Sequence, residues 1–193
     1  MSSLTTTDRL KELLPQLFRS DITQGDYYLR FQLTTEISCL IDLKYVQESL
    51  SIDGDRITPV PNLPEYILGL MSSRNQVFLA MDLAHLAGLS PQTVNLRQYQ
   101  TIVVKLDSSQ MKGDRASDDT DLFGLTVKRI EGISRILPEH FSALTENIPD
   151  ALRPFVNSAA LQEKKDENIS DRGNVQHSFL IDISKLITTK TKS

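Results

Sequence analysis

In YLRFQLTTEISCLIDLKYVQESL, residues 28–50, the apolar Leu29, Phe31 and Leu33 alternate with Arg30 and Gln32. A period of two puts the three on one face of a half-buried strand. Ile37, Cys39, Ile41 and Leu43 share a face in the same way, and that strand is expected to continue through Val46 to Leu50. Asp53-Gly54 then marks a turn.

Outward from this stretch, the same pattern recurs. TIVVKL (101–106) followed by LFGLTVKRIEGISRIL (122–137) repeats the order and spacing of apolar positions in residues 28–50. PEYILGL (64–70) with VFLAMDLAHLAGL (77–89) is matched by RPFVNSA (153–159) with SFLIDISKLI (178–187). In that second pair Phe78-Leu79…Asp82 corresponds to Phe179-Leu180…Asp182, with one residue fewer between aromatic and aspartate. Duplication of a small β unit is the simplest account. The plainer alternative is that any two runs of alternating strands look alike. Short strands with polar turns, used twice, point to a mainly β fold of two small packed barrels.

Between the strands, TPVPNLP places Pro59, Pro61 and Pro64 within an extended lead-in, with Pro64 opening a short helix that carries Tyr66, Ile67 and Leu70. Val77, Leu79, Met81 and Leu83 alternate in the next strand, and Phe179–Ile183 forms the last. The polar stretches 108–121 and 163–174 are loops. At the start, Leu10, Leu13, Leu14, Leu17 and Phe18 form one helical stripe behind Thr5–Asp8, kinked or ended near Pro15. The chain therefore divides into an amphipathic extension (1–24), a β domain (25–188) and a polar tail (189–193).

Composition narrows the function. A net charge of -4 argues against nucleic acid and against anionic lipid. One cysteine allows neither an intrachain disulfide nor a thiolate metal cluster. No secretion signal or apolar run of spanning length occurs, so the expected setting is the cytoplasm. His85, His140 and His177 have no partners at metal spacing, and no phosphate-cradling glycine loop or nucleophile elbow is present. Asp82 and Asp182 could form a catalytic pair, but equivalent places in the two repeats favour capping of the following turn. Cys39 reads as a buried structural thiol, and Asp42 as a solvated carboxylate. No catalytic, cofactor or metal site is expected.

ITPVPNLPEYILGLMSSRNQVFLAMDLAHLAGL (57–89) resembles the CheW-like domain family, in its proline lead, its arginine turn and its apolar-Asp-Leu strand end. Upstream, Val46 and Glu48 match that family's valine followed two residues later by glutamate. The resemblance spans about residues 27–188. It implies two intertwined five-stranded barrel subdomains and no enzymatic activity. It further implies an adaptor between the cytoplasmic tip of a methyl-accepting chemoreceptor-like protein and the regulatory domain of a CheA-type histidine kinase, recruited to receptor arrays. Carried over residue by residue, it nominates Val46, Glu48, Gly69, Arg74 and Asn75 for partner binding. Ser72-Ser73 stands where the family has Asn-Leu, and Asn75 where it has glycine. From pattern alone, the plainer reading prevails, that Arg74 and Glu48 merely solvate loops or pair with each other, and only the resemblance reverses it. The N-terminal extension is similar to those of coupling proteins in cyanobacterial phototaxis and pilus motility. Two alternatives stay open: a divergent scaffold or antagonist binding only the kinase, and a small-ligand-binding β protein.

Overall fold

The computed structural model describes residues 25–93, 96–107, 120–142, 148–163 and 175–191. The expected N-terminal helix and most of the two polar loops lie outside these residues.

Among the described residues there are eleven strands: β1 Asp26–Gln32, β2 Ser38–Asp42, β3 Val46–Asp53, β4 Ile67–Ser73, β5 Gln76–Asp82, β6 Gln98–Asp107, β7 Thr120–Val127, β8 Arg129–Ile136, β9 Phe141–Ser142, β10 Val156–Glu163 and β11 Val175–Ile181. Helix α1 spans Leu83–Leu86 and α2 spans Ile183–Thr191. The strands form two sheets, ordered β8-β1-β2-β11-β10-β9 and β3-β6-β7-β5-β4. Apart from the two-residue β9, the orders are the same once β1, β2, β8, β10 and β11 are matched to β6, β7, β3, β4 and β5. The pairing senses agree as well, with β2–β11 and β7–β5 parallel and every other ladder antiparallel. The two halves legible in the sequence are thus topological equivalents. They are also interlocked: the chain leaves the first sheet after β2, builds the whole second sheet, and returns at β8.

Three apolar clusters follow from strand alternation. The largest lies between the sheets and includes Leu29, Phe31, Cys39, Ile41, Met81, Ile102, Val104, Leu125, Phe179, Ile181 and Leu186. On its opposite face, the second sheet wraps Ile52, Met71, Phe78, Ala80, Tyr99 and Val103. The first sheet likewise encloses Tyr28, Leu40, Ile136 and Ala160, where the Tyr28 and Phe141 rings meet edge-on at 5.3 Å. Burial on both faces makes the central strands continuous apolar runs. For that reason β5 buries Phe78 and Ala80 as well as Met81, while Val77 is exposed.

Four expectations change. Pro64 opens no helix: one turn closes with Ile67 N–H donating to Pro64 O at 2.9 Å, and the chain enters β4. Its apolar residues then alternate across a sheet. The strand expected to run from Ile37 to Leu50 is broken by a 3-10 turn at Leu43–Tyr45, where the chain changes sheets. Ile183 begins a helix rather than ending a strand. Finally, Phe179 is equivalent to Leu79, not to Phe78. The parallel registers Leu79↔Phe123 and Phe179↔Cys39 align these two, and a one-residue slip would send the aromatics to opposite faces.

Candidate functional site

Val46 and Glu48 stand two apart on β3, which in a regular strand means one shared face. A β-bulge between them removes that relation. Val46 pairs with Val104 but Glu48 pairs with Val103. Val46 therefore packs, half-buried, against the central cluster. Glu48 lies on the other side, with Val103, at the mouth of the cluster inside the second sheet.

Across that mouth sits the β4–β5 hairpin. Ser73 pairs with Gln76, leaving Arg74-Asn75 as a two-residue loop. Arg74 has φ 47° and Asn75 φ 64°, the combination of a type I′ turn, whose twist suits a hairpin. Asparagine tolerates this conformation well; arginine does so at a cost of about 1–2 kcal/mol. Arg74 Nε lies 3.1 Å from Glu48 Oε2, with side chains 79% and 14% exposed respectively. β3 and β4 are the two edges of one sheet, so this ion pair bridges the sheet's edges where it curls closed. The pairing weighed from the sequence is present. It holds the stem of an exposed guanidinium by a largely covered carboxylate.

Gly69 is buried in β4 at a second bulge, between Ile67 and Gly69, with φ 146°. A Cβ there would come within 2.3 Å of Thr58 O. The proline lead crosses β4 at this point, through Thr58 N–H to Leu70 O at 2.9 Å and Leu70 N–H to Thr58 O at 2.8 Å. Gly69 thus sits beneath that crossing, away from the hairpin tip.

The aspartates close strands, as their repeat positions suggested. Buried Asp82 accepts from His85 N–H (3.0 Å), Gln92 N–H (2.9 Å), Thr93 N–H (2.7 Å) and Thr93 Oγ1 (2.8 Å). Thr93 Oγ1 is also 2.7 Å from Thr126 Oγ1, which donates to Met81 O. Asp182 accepts from Lys185 N–H at 2.9 Å, capping α2. Asp42 is half-buried rather than solvated. It accepts from Lys44 N–H and pairs with Lys44 Nζ at 2.7 Å, and this bond raises the lysine's pKa. Burial raises the Tyr28 hydroxyl and pushes the Cys39 thiol far above its ordinary value. Among the described residues, no three His, Cys, Asp or Glu side chains converge, and no helix is long and apolar enough to cross a membrane.

Sequence reasoning missed Val77, which is 67% exposed beside the Arg74-Asn75 tip. With Gln76, Leu79, Asp121, Leu122 and Phe123 it lines an open hollow of about 510 Å³. Its place just after a hairpin loop was the available signal, obscured because the alternation assigned it to the core.

A family model described as the CheW-like domain matches residues 27–190. Among solved structures, the crystal structure of the scaffolding protein TtCheW from Thermoanaerobacter tengcongensis is similar, with a TM-score of 0.59 and 19% identity over 84% of this chain and 92% of that one. At that identity the likeness speaks for the fold. No curated protein matches.

Proposed function

Since the chain belongs to the CheW-like domain family, we propose that it is a non-catalytic scaffold coupling a chemoreceptor-like protein to a CheA-type histidine kinase in a taxis pathway. One observation carries this reading: the Arg74 side chain is 79% exposed, yet its Nε is fixed on Glu48 at 3.1 Å. A guanidinium held this way loses little freedom when its remaining donors engage a partner carboxylate or carbonyl. Exposed Val77 supplies adjacent apolar surface, the combination typical of an interface core with an arginine at its rim. Glu48, Arg74 and Asn75 form the kinase-facing site, and Gly69 lets the proline lead cross the same hairpin farther from its tip.

A bridge needs two faces. The bulge in β3 turns Val46 to the opposite side from Glu48, where it packs against the central cluster but keeps a part-exposed edge. We assign Val46 to the receptor contact on this basis. No spanning helix among the described residues accords with a protein recruited to membrane arrays through its partners.

Titration calorimetry of the full chain against a CheA-type regulatory domain tests the proposal. Wild type binds, and Arg74→Glu or Glu48→Lys weakens binding at least tenfold with the fold intact by circular dichroism. Undiminished affinity in both variants removes the site, and absence of binding by wild type removes the kinase as partner.

A further inference from the structure

The ladder registers align the two sheets residue by residue. Phe31 and Val104 hold equivalent places, opposite Cys39 and Phe123, and on their other side stand Ile130 and Val46. Both ladders bulge at the next step, so Gly132 in β8 is the counterpart of Glu48 in β3. The residues facing them differ as well: Gly132 lies opposite Arg30, and Glu48 opposite Val103. The second sheet thus carries a carboxylate at this place. The first carries none, and sets an arginine beside the gap.

Arg30 is half-buried, on the face of β1 that carries Tyr28 and pairs with Leu40 of the first sheet's enclosed cluster. Its Nη2 donates to Ser134 Oγ at 2.7 Å, and its buried Nε has no hydrogen-bond partner. Among the described residues no carboxylate forms an ion pair with it. Asp42, on the same face, is taken by Lys44 at 2.7 Å, and Glu131, in the bulge, accepts from Gln32 Nε2 at 3.0 Å. An unpaired cation against an apolar cluster is costly, and an opposite charge offsets that cost most strongly where water is scarce. Gly132 leaves room for one. Its φ of 130° suits glycine, and a Cβ there would meet nothing within 4 Å. A glycine inside a strand often marks such a point of close approach.

We propose that Arg30 receives an acidic side chain of another protein, which enters over Gly132 at the place that Glu48 fills in the second sheet. The space there is open rather than enclosed, so a free anion competes with water, whereas a docked surface presents its carboxylate at high effective concentration and excludes solvent. The guanidinium, already held by Ser134, offers its remaining donors to it. This inference rests on the first sheet alone and is independent of the kinase assignment.

The test follows the arginine Nε–H signals of the full chain by NMR, with isotope-labelled arginine, during titration with a hexaglutamate peptide and separately with acetate. The Arg30 signal, assigned by its loss in Arg30→Lys, shifts saturably with the peptide, and acetate requires at least tenfold more carboxylate for the same shift. The Gly132 amide moves with it in wild type and stays still in Arg30→Gln, whose fold is checked by circular dichroism. Equal response to acetate overturns the protein partner in favour of a free anion. A Gly132 shift that survives in Arg30→Gln, or a response at Arg74 without one at Arg30, overturns the site. No shift with either probe overturns the proposal outright, the guanidinium then being served from within the chain.

Discussion

Asp82 and Asp182 share a repeat position but differ in what depends on them. Replacing Asp82 by alanine strands three backbone N–H groups gathered on one carboxylate and leaves the Thr93 hydroxyl with Thr126 alone. Buried unsatisfied donors cost about 1–3 kcal/mol each before relaxation. Urea unfolding of Asp82→Ala is therefore expected to show a loss of at least about 3 kcal/mol. Asp182→Ala removes one half-exposed cap and is expected to lose only about 0.5–2 kcal/mol. The sequence made both residues visible as caps; it could not reveal that Thr93, eleven residues on, turns one of them into a buried junction. Cys39 offers a pH test. Its thiol stays protonated in the fold, pushed above the ordinary value of 9.0 by complete burial, whereas the unfolded chain ionises there. The unfolded state then holds fewer protons, so stability falls as pH rises past about 9, by up to about 1.4 kcal/mol per unit from this group. Unfolding of Cys39→Ala is expected to lack that part of the decline.

Elements were legible where alternation alone determines them. β1, β6 and β7 bury one apolar set or two, and the sequence pattern shows it. Pro64 misled because its fixed φ suits a turn before a strand as well as a helix start. The bulge at Val46–Glu48 left no trace, since Gln47 looks like any outward-facing strand residue. Helix α2 was missed because β-branched Ile183, Ile187, Thr188 and Thr189 favour a strand locally, until burial of Ile183, Leu186 and Ile187 in the central cluster decides the matter. Leu186 is fully buried, so Leu186→Ala is expected to destabilise by about 2–5 kcal/mol. A loss below 1 kcal/mol in urea titration would mean that α2 does not close the core.

At the scale of the molecule, the repeat read from the sequence corresponds to two sheets that neither half can complete alone. β1 and β2 pair with β8 and β11, and every strand between β2 and β8 belongs to the other sheet. Unfolding followed by far-UV circular dichroism and by tyrosine fluorescence should give one coincident transition, and two separated transitions would contradict a shared core. Family resemblance nominated the candidate residues but not their geometry, which brings Glu48 to Arg74 and leaves Val46 and Gly69 elsewhere. The curl of the second sheet that joins Glu48 to Arg74 is a property of the whole sheet.

That geometry makes a single variant decisive. Arg74 occupies a left-handed position that suits glycine better, and its exposed ion pair contributes at most about 1 kcal/mol. Stability alone does not favour arginine there. Arg74→Gly should be measured in parallel for its urea midpoint and for its affinity toward a CheA-type regulatory domain. Stability is expected within about 1 kcal/mol of wild type, with affinity at least tenfold weaker. Unchanged affinity in an equally stable variant would contradict it.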